Sequence, residues 1–114
     1  MQENFLIEEL MSSFHASKNR EYRQRALDSF ATWVRYFQEH DLMTRTILAE
    51  GQQPDWEMEV RRFDLTDEGF ELYKQAVGKW YNGHDRGKPI SDTKIFDKTL
   101  SKIREQKLKE GLAE

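Results

Sequence analysis

Three histidines, His15, His40 and His84, are the side chains whose ordinary pKa lies nearest neutrality, and any acid/base or metal chemistry would be expected to draw on them first. None has a second histidine three or four residues away, so no helical metal-binding pair is present. His15 and His40 fall near the ends of helical stretches, where an imidazolium suits the helix dipole. His84 is followed by Asp85, which could form half of an acid/base site, but the pair has no nucleophile beside it. An enzyme centred on His84 and Asp85 is therefore the weakest of three functional readings. Gly83-His-Asp-Arg-Gly87-Lys88 has the residue types of a phosphate loop. Its glycines stand one residue too close, Pro89 occupies the place of the magnesium-binding hydroxyl, and a helix precedes it instead of a strand, so it reads as a helix connection. Cysteine is absent, which excludes disulfides, thiolate catalysis and thiolate metal sites and points to a reducing cytoplasm. The expectation is a protein that is not an enzyme and has no cofactor, no metal and no catalytic residues.

Binding is better represented than catalysis. Lys18, Arg20, Arg23 and Arg25, with Arg35 further on, form a basic cluster that could contact phosphate if the neighbouring acids Glu21 and Asp28 did not pair with it. Three tryptophans, four tyrosines and seven phenylalanines are many for a small core, so some should be exposed for a partner. Trp56 and Tyr81 are the aromatic candidates, with Glu57 and Glu59 as acidic neighbours of the first, while Trp33 and Trp80 read as core.

Elements must position these residues. Leu6, Leu10 and Phe14 recur at helical spacing and predict an amphipathic helix over residues 3–15, with Ser17 or Asn19 as the next cap. Ala26, Phe30, Trp33 and Phe37 predict a longer helix over residues 20–40. Residues 42–48 have the alternation and β-branched content of a strand, Gly51 and Pro54 mark a loop, and Trp56, Met58 and Val60 alternate as a second strand. Together these predict a β-hairpin with a bulge or strand end near Arg61 and Arg62. Thr66 then caps a helix with Asp67 and Glu68 in its first turn and Phe70, Tyr73, Val77 and Trp80 on its buried face, stopping at Asn82-Gly83. Ser91 or Asp92 begins a last helix marked by Phe96, Leu100 and Ile103, and the charged run after Arg104 is expected to fray.

A chain of 114 residues is long enough to bury one core without staples, so one compact domain over residues 1–104 with a charged tail over 105–114 is expected. The N-terminus carries acids where a secretory signal needs bases, and no apolar run approaches the roughly 18 residues that span a bilayer, so export and membrane insertion have no support. Net charge is −3, and no segment of domain size is basic overall, which counts against nucleic acid as the main partner.

The passage Phe63-Asp-Leu-Thr-Asp-Glu-Gly-Phe70 resembles the Leu-Thr-x-x-Gly stretch that closes the wing in PadR-like and MarR-like winged-helix regulators, and the resemblance extends over residues 33–82. It implies a mainly α single domain with a small β-hairpin, winged-helix-like in form. Such domains have three helices before the wing, whereas two fit into residues 1–40. Glu50, Asp55, Glu57 and Glu59 make this wing acidic, and phosphate would be repelled there. The leading expectation is therefore a cytoplasmic protein-binding module, an immunity-type inhibitor or regulatory adaptor that takes a basic partner. The alternative is a winged-helix DNA-binding transcriptional regulator using Lys18, Arg20, Arg23 and Arg25.

Overall fold

The structure, a computed structural model, describes residues 3–112. It is mainly helical, 61% of the chain, with a small two-stranded antiparallel sheet, as the sequence leads one to expect. Two compact units meet in sequence between Thr66 and Asp67, where a single domain is the expectation from length. The boundary coincides with the change from strand to helix periodicity.

The first unit holds β1 (Leu6–Glu9), α1 (Leu10–Ala16), α2 (Arg20–Glu39) and β2 (Glu59–Arg61), followed by a single 3-10 turn over Arg62–Asp64. Asn19 caps α2: its Oδ1 accepts the N–H groups of Glu21 at 2.8 Å and Tyr22 at 3.2 Å, while Glu21 adds a favourable charge to the first turn. Phe30, Trp33, Val34 and Phe37 of α2 are fully buried, and the rings of Phe30, Trp33 and Phe37 meet edge to face at 5.8 and 5.0 Å. Leu10, Leu42, Leu48, Val60 and Leu65 are also buried. The helix ends by reversing through Asp41, at φ 59°. The Leu42 N–H reaches the Phe37 carbonyl at 2.9 Å and the Asp41 N–H that of Gln38 at 3.4 Å, the paired bonds of a Schellman motif.

The strands differ from those expected. The helix predicted over residues 3–15 starts only at Leu10, and Leu6–Glu9 is a strand. Its partner is β2, with Leu6 opposite Arg61, Glu8 opposite Val60 and Glu9 opposite Glu59, and a bulge between Leu6 and Glu8. The Leu10 N–H donates to the Met58 carbonyl at 3.2 Å, so the helix begins where the ladder runs out. Residues 42–48 form no strand and do not pair with residues 56–60. Their backbone groups are satisfied piecemeal: Gln38 Oε1 accepts the Ile47 and Leu48 N–H groups, and its Nε2 donates to the Leu48 carbonyl. A lone bridge joins Met43 to Leu65, flanked by bonds from Thr44 N–H to Asp64 and from Thr66 N–H to Leu42. These bonds take up Leu42, Thr44, Ile47 and Leu48 groups that a continuous ladder would use.

The second unit holds α3 (Asp67–Leu72), a π-helical segment (Tyr73–Val77), α4 (Gly78–Asp85) and α5 (Lys94–Leu112). Helix α3 begins directly after Thr66, as predicted, and the Thr66 hydroxyl donates to the Leu42 carbonyl at 3.2 Å. The buried face runs through Gly69, Leu72, Ala76, Val77 and Trp80; Phe70 and Tyr73, predicted to be buried, are half-buried. The small residues let α3 and the π segment pack against α5, and the wider i→i+5 turn shifts the phase of α4 relative to α3. Helix α4 passes through the predicted Asn82-Gly83 stop and ends at Asp85, with Arg86 as its cap and Gly87 at φ 93°. The Lys88 and Gly87 N–H groups bond to the Gly83 and His84 carbonyls at 3.0 and 3.1 Å, a second Schellman motif. Helix α5 continues to Leu112, well past Arg104, where fraying is expected. Arg104 pairs with Glu68 at 2.7 Å, Lys109 with Glu105 at 3.4 Å, and the run is rich in strong helix formers. The last two residues of the expected tail, 113 and 114, lie outside the described residues.

Candidate functional site

The antiparallel ladder joins Leu6–Glu9 to Glu59–Arg61, and single hydrogen bonds beyond each end extend this ribbon to Asn4 and Phe63 on one side and to Leu10 and Met58 on the other. At one end the Phe63 N–H donates to Asn4 Oδ1 at 2.9 Å and the Arg62 N–H to the Phe5 carbonyl at 2.9 Å. At the other end the Phe14 and Trp56 rings meet at 5.2 Å. Three apolar side chains stay exposed at the Asn4 end: Phe5 at 46%, Leu6 at 40% and Phe63 at 50%. Isolated exposed apolar residues need no explanation; here three cluster at one end of the strand pair, Phe5 and Leu6 on consecutive residues and Phe63 two residues past β2.

Acids continue along the same ribbon. Glu57 is exposed, and Asp55 Oδ1 accepts its N–H at 2.9 Å. Glu59 pairs with Arg61 at 2.8 Å, which raises the Arg61 pKa through that hydrogen bond and charge. Glu9 accepts from the Ser12 hydroxyl at 2.6 Å. Glu8 accepts the Trp33 indole N–H at 3.0 Å and thereby ties β1 to α2.

Asp64 fixes the end of the ribbon that carries Phe63. Its Oδ2 accepts the Arg61 N–H at 2.8 Å, its Oδ1 takes the Arg45 Nε, and its carbonyl accepts the Thr44 N–H at 2.8 Å. Burial pushes the Asp64 carboxyl up, but the hydrogen bonds from Arg45 and the Arg61 backbone, with both arginine charges, overcome this and hold it below its ordinary value.

Of the residues expected to bind a partner, Glu59 lies in β2 and Trp56 and Glu57 in the turn just before it, with Trp56 half-buried against Phe14. Tyr81 belongs to α4 in the second unit, half-buried beside Trp80 at 5.2 Å. Sequence reasoning misses Phe5, Leu6 and Phe63. Helical periodicity places Leu6 on a core face, and Leu6-Ile-Glu-Glu9 has no alternation that would signal a strand instead.

The basic cluster divides. Lys18, Arg20 and Arg25 are exposed, but Arg23 is a structural residue. Its guanidinium lies 3.8 Å from the Phe14 ring centroid and donates to the Ser17 and Phe14 carbonyls at 2.7 and 3.1 Å, satisfying the end of α1. Asp28, expected to pair with the arginines, accepts from Gln24 at 3.0 Å. His84 is buried against Trp80, ring centroids 4.2 Å apart, and Asp85 is exposed. Among the described residues no three His, Asp or Glu side chains stand close enough to hold a metal, and no helix is long and apolar enough to cross a membrane. No family model, curated protein or solved structure matches the chain.

Proposed function

We propose that the chain is a non-enzymatic protein-binding module that docks a basic partner on the ribbon of its first unit. The observation that carries this reading is the exposure of Phe5, Leu6 and Phe63 at one end of the strand pair, with Glu9, Glu57 and Glu59 further along the same two segments. Aromatic and aliphatic anchors would supply the desolvated centre of an interface, and Glu57, Glu59 and Glu9 its charged rim. Residues 1–66 carry eight Lys and Arg against twelve Asp and Glu, a formal −4, which favours a basic partner by charge complementarity. An immunity-type inhibitor or regulatory adaptor working in the cytoplasm fits these features, since such a protein acts by covering a partner and needs no chemistry of its own.

The competing reading is a winged-helix DNA-binding regulator. It rests on Lys18, Arg20 and Arg25, exposed at the start of α2, and loses weight because Arg23 is engaged in closing α1. One comparison separates the two. Capture from the source cell with wild type and with Leu6→Ser/Phe63→Ser should retain a basic protein on the wild type alone, with both forms melting at the same temperature. Retention that survives the double substitution would refute the docking face. Duplex DNA binding at low salt that disappears in Lys18→Ala/Arg20→Ala/Arg25→Ala would establish the regulator instead.

A further inference from the structure

The second unit contains a cavity of about 330 Å³ between the end of α4, the connection after it and the start of α5. Lys79, Lys88, Lys94 and Lys98 all line it, with Asp92 as the single carboxylate, a formal +3 in a chain of net −3. Trp80, Gly83, His84 and Ile95 supply the rest of the wall. All four lysines are exposed at the cavity's margin and give it a local excess of positive charge that favours an anion.

The backbone around the cavity is tied down. The Schellman motif holds the Lys88 backbone against the Gly83 carbonyl, and the Lys88 stem lies across Gly83 so closely that a Cβ there would stand 3.2 Å from its Cδ. The Trp80 indole N–H donates to the Asp92 carbonyl oxygen at 2.9 Å and so ties the connection to α4. Asp92 Oδ1 accepts the Lys94 N–H at 3.2 Å, which commits this carboxylate to the first turn of α5. The cavity is therefore a basic pocket with one apolar wall, and its volume lies at the low end of the range of small-molecule sites, about 300–1,000 Å³.

We propose that this pocket binds a small phosphorylated organic molecule, with its phosphate among Lys79, Lys88, Lys94 and Lys98 and its organic part against Trp80 and Ile95. Lysine suits such a site as a mobile point charge. The Gly83…Gly87-Lys88 sequence contributes here by shaping a helix end that delivers Lys88, and the site has no geometry in common with a nucleotide-binding loop.

Calorimetric titration of the whole chain at low ionic strength with inorganic phosphate and with phenyl phosphate tests the proposal. Phenyl phosphate is expected to bind saturably and about fivefold or more tighter than inorganic phosphate, about 1 kcal/mol. Lys88→Ala/Lys98→Ala should weaken it about tenfold. Lys102→Ala/Lys107→Ala, on the same helix outside the pocket, should leave it unchanged. Amide shift changes confined to residues 79–98 would locate the site in the wild type, whether or not the variants fold. Gly83→Ala, which displaces the Lys88 stem, should also weaken binding. Absence of saturation in the millimolar range, equal affinity for the two anions, or equal loss in both lysine pairs would overturn the proposal.

Discussion

Asp64 connects three parts of the first unit through one side chain and one carbonyl: the Arg61 backbone, the Arg45 guanidinium and the Thr44 backbone. Asp64→Ala leaves the Arg61 N–H and Arg45 without their acceptor and is expected to cost about 1–3 kcal/mol in chemical denaturation. Because its folded pKa lies below the ordinary 3.8, the carboxylate stabilises the fold fully above that value and loses the contribution as pH falls through the lower, folded value. Wild type should therefore lose stability on acidification below about pH 4 more steeply than Asp64→Ala. The two Schellman motifs make a matched pair of tests. Asp41 occupies a left-handed position that glycine adopts without a Cβ penalty, whereas Gly87 fills its own with the residue that suits it. Asp41→Gly should raise stability by about 0.5–1 kcal/mol and Gly87→Ala should lower it by about 1–2 kcal/mol, both read from denaturant midpoints.

At the scale of elements, Gln38 explains why a strand-like sequence forms no strand. Its amide takes the hydrogen bonds of Ile47 and Leu48 that a β partner would otherwise make. Gln38→Ala should destabilise the chain by about 1–3 kcal/mol and speed hydrogen exchange at Ile47 and Leu48, and an unchanged exchange rate there would refute the assignment. The long helix α2 is legible in the sequence because its periodicity extends over twenty residues and its Asn19 cap is local chemistry. Helices α3 and α5 are legible for the same reason at their starts. The helix ends are less legible: α4 runs past Asn82-Gly83 to the left-handed Gly87, and α5 persists beyond Arg104, where the pair with Glu68 joins residues far apart in sequence. Residues 6–9, Leu-Ile-Glu-Glu, do not alternate, so they carry no strand period of their own. Only the presence of β2 as a hydrogen-bonding partner makes them a strand.

At the scale of the whole molecule, charge is divided unevenly. Residues 1–66 sum to a formal −4, while residues 67–114, with ten Lys and Arg against nine Asp and Glu, sum to +1. Association with a basic partner on the first unit should therefore slow as ionic strength rises, mainly through the association rate constant, and a salt-independent rate in stopped flow would contradict electrostatic steering. The sequence by itself determined what composition and local period can carry: the absence of thiol chemistry, a mainly α class with a small sheet, the aromatic core of α2 and the acidic run around Glu57 and Glu59. Tertiary structure alone decided that β2 pairs with residues 6–9, that Arg23 serves the end of α1, and that Phe5, Leu6 and Phe63 come together on one ribbon. It also decided that four lysines face one cavity. The reason is physical: periodicity and caps are set by neighbours along the chain, whereas strand partners and surface clusters are set by residues up to 59 positions apart.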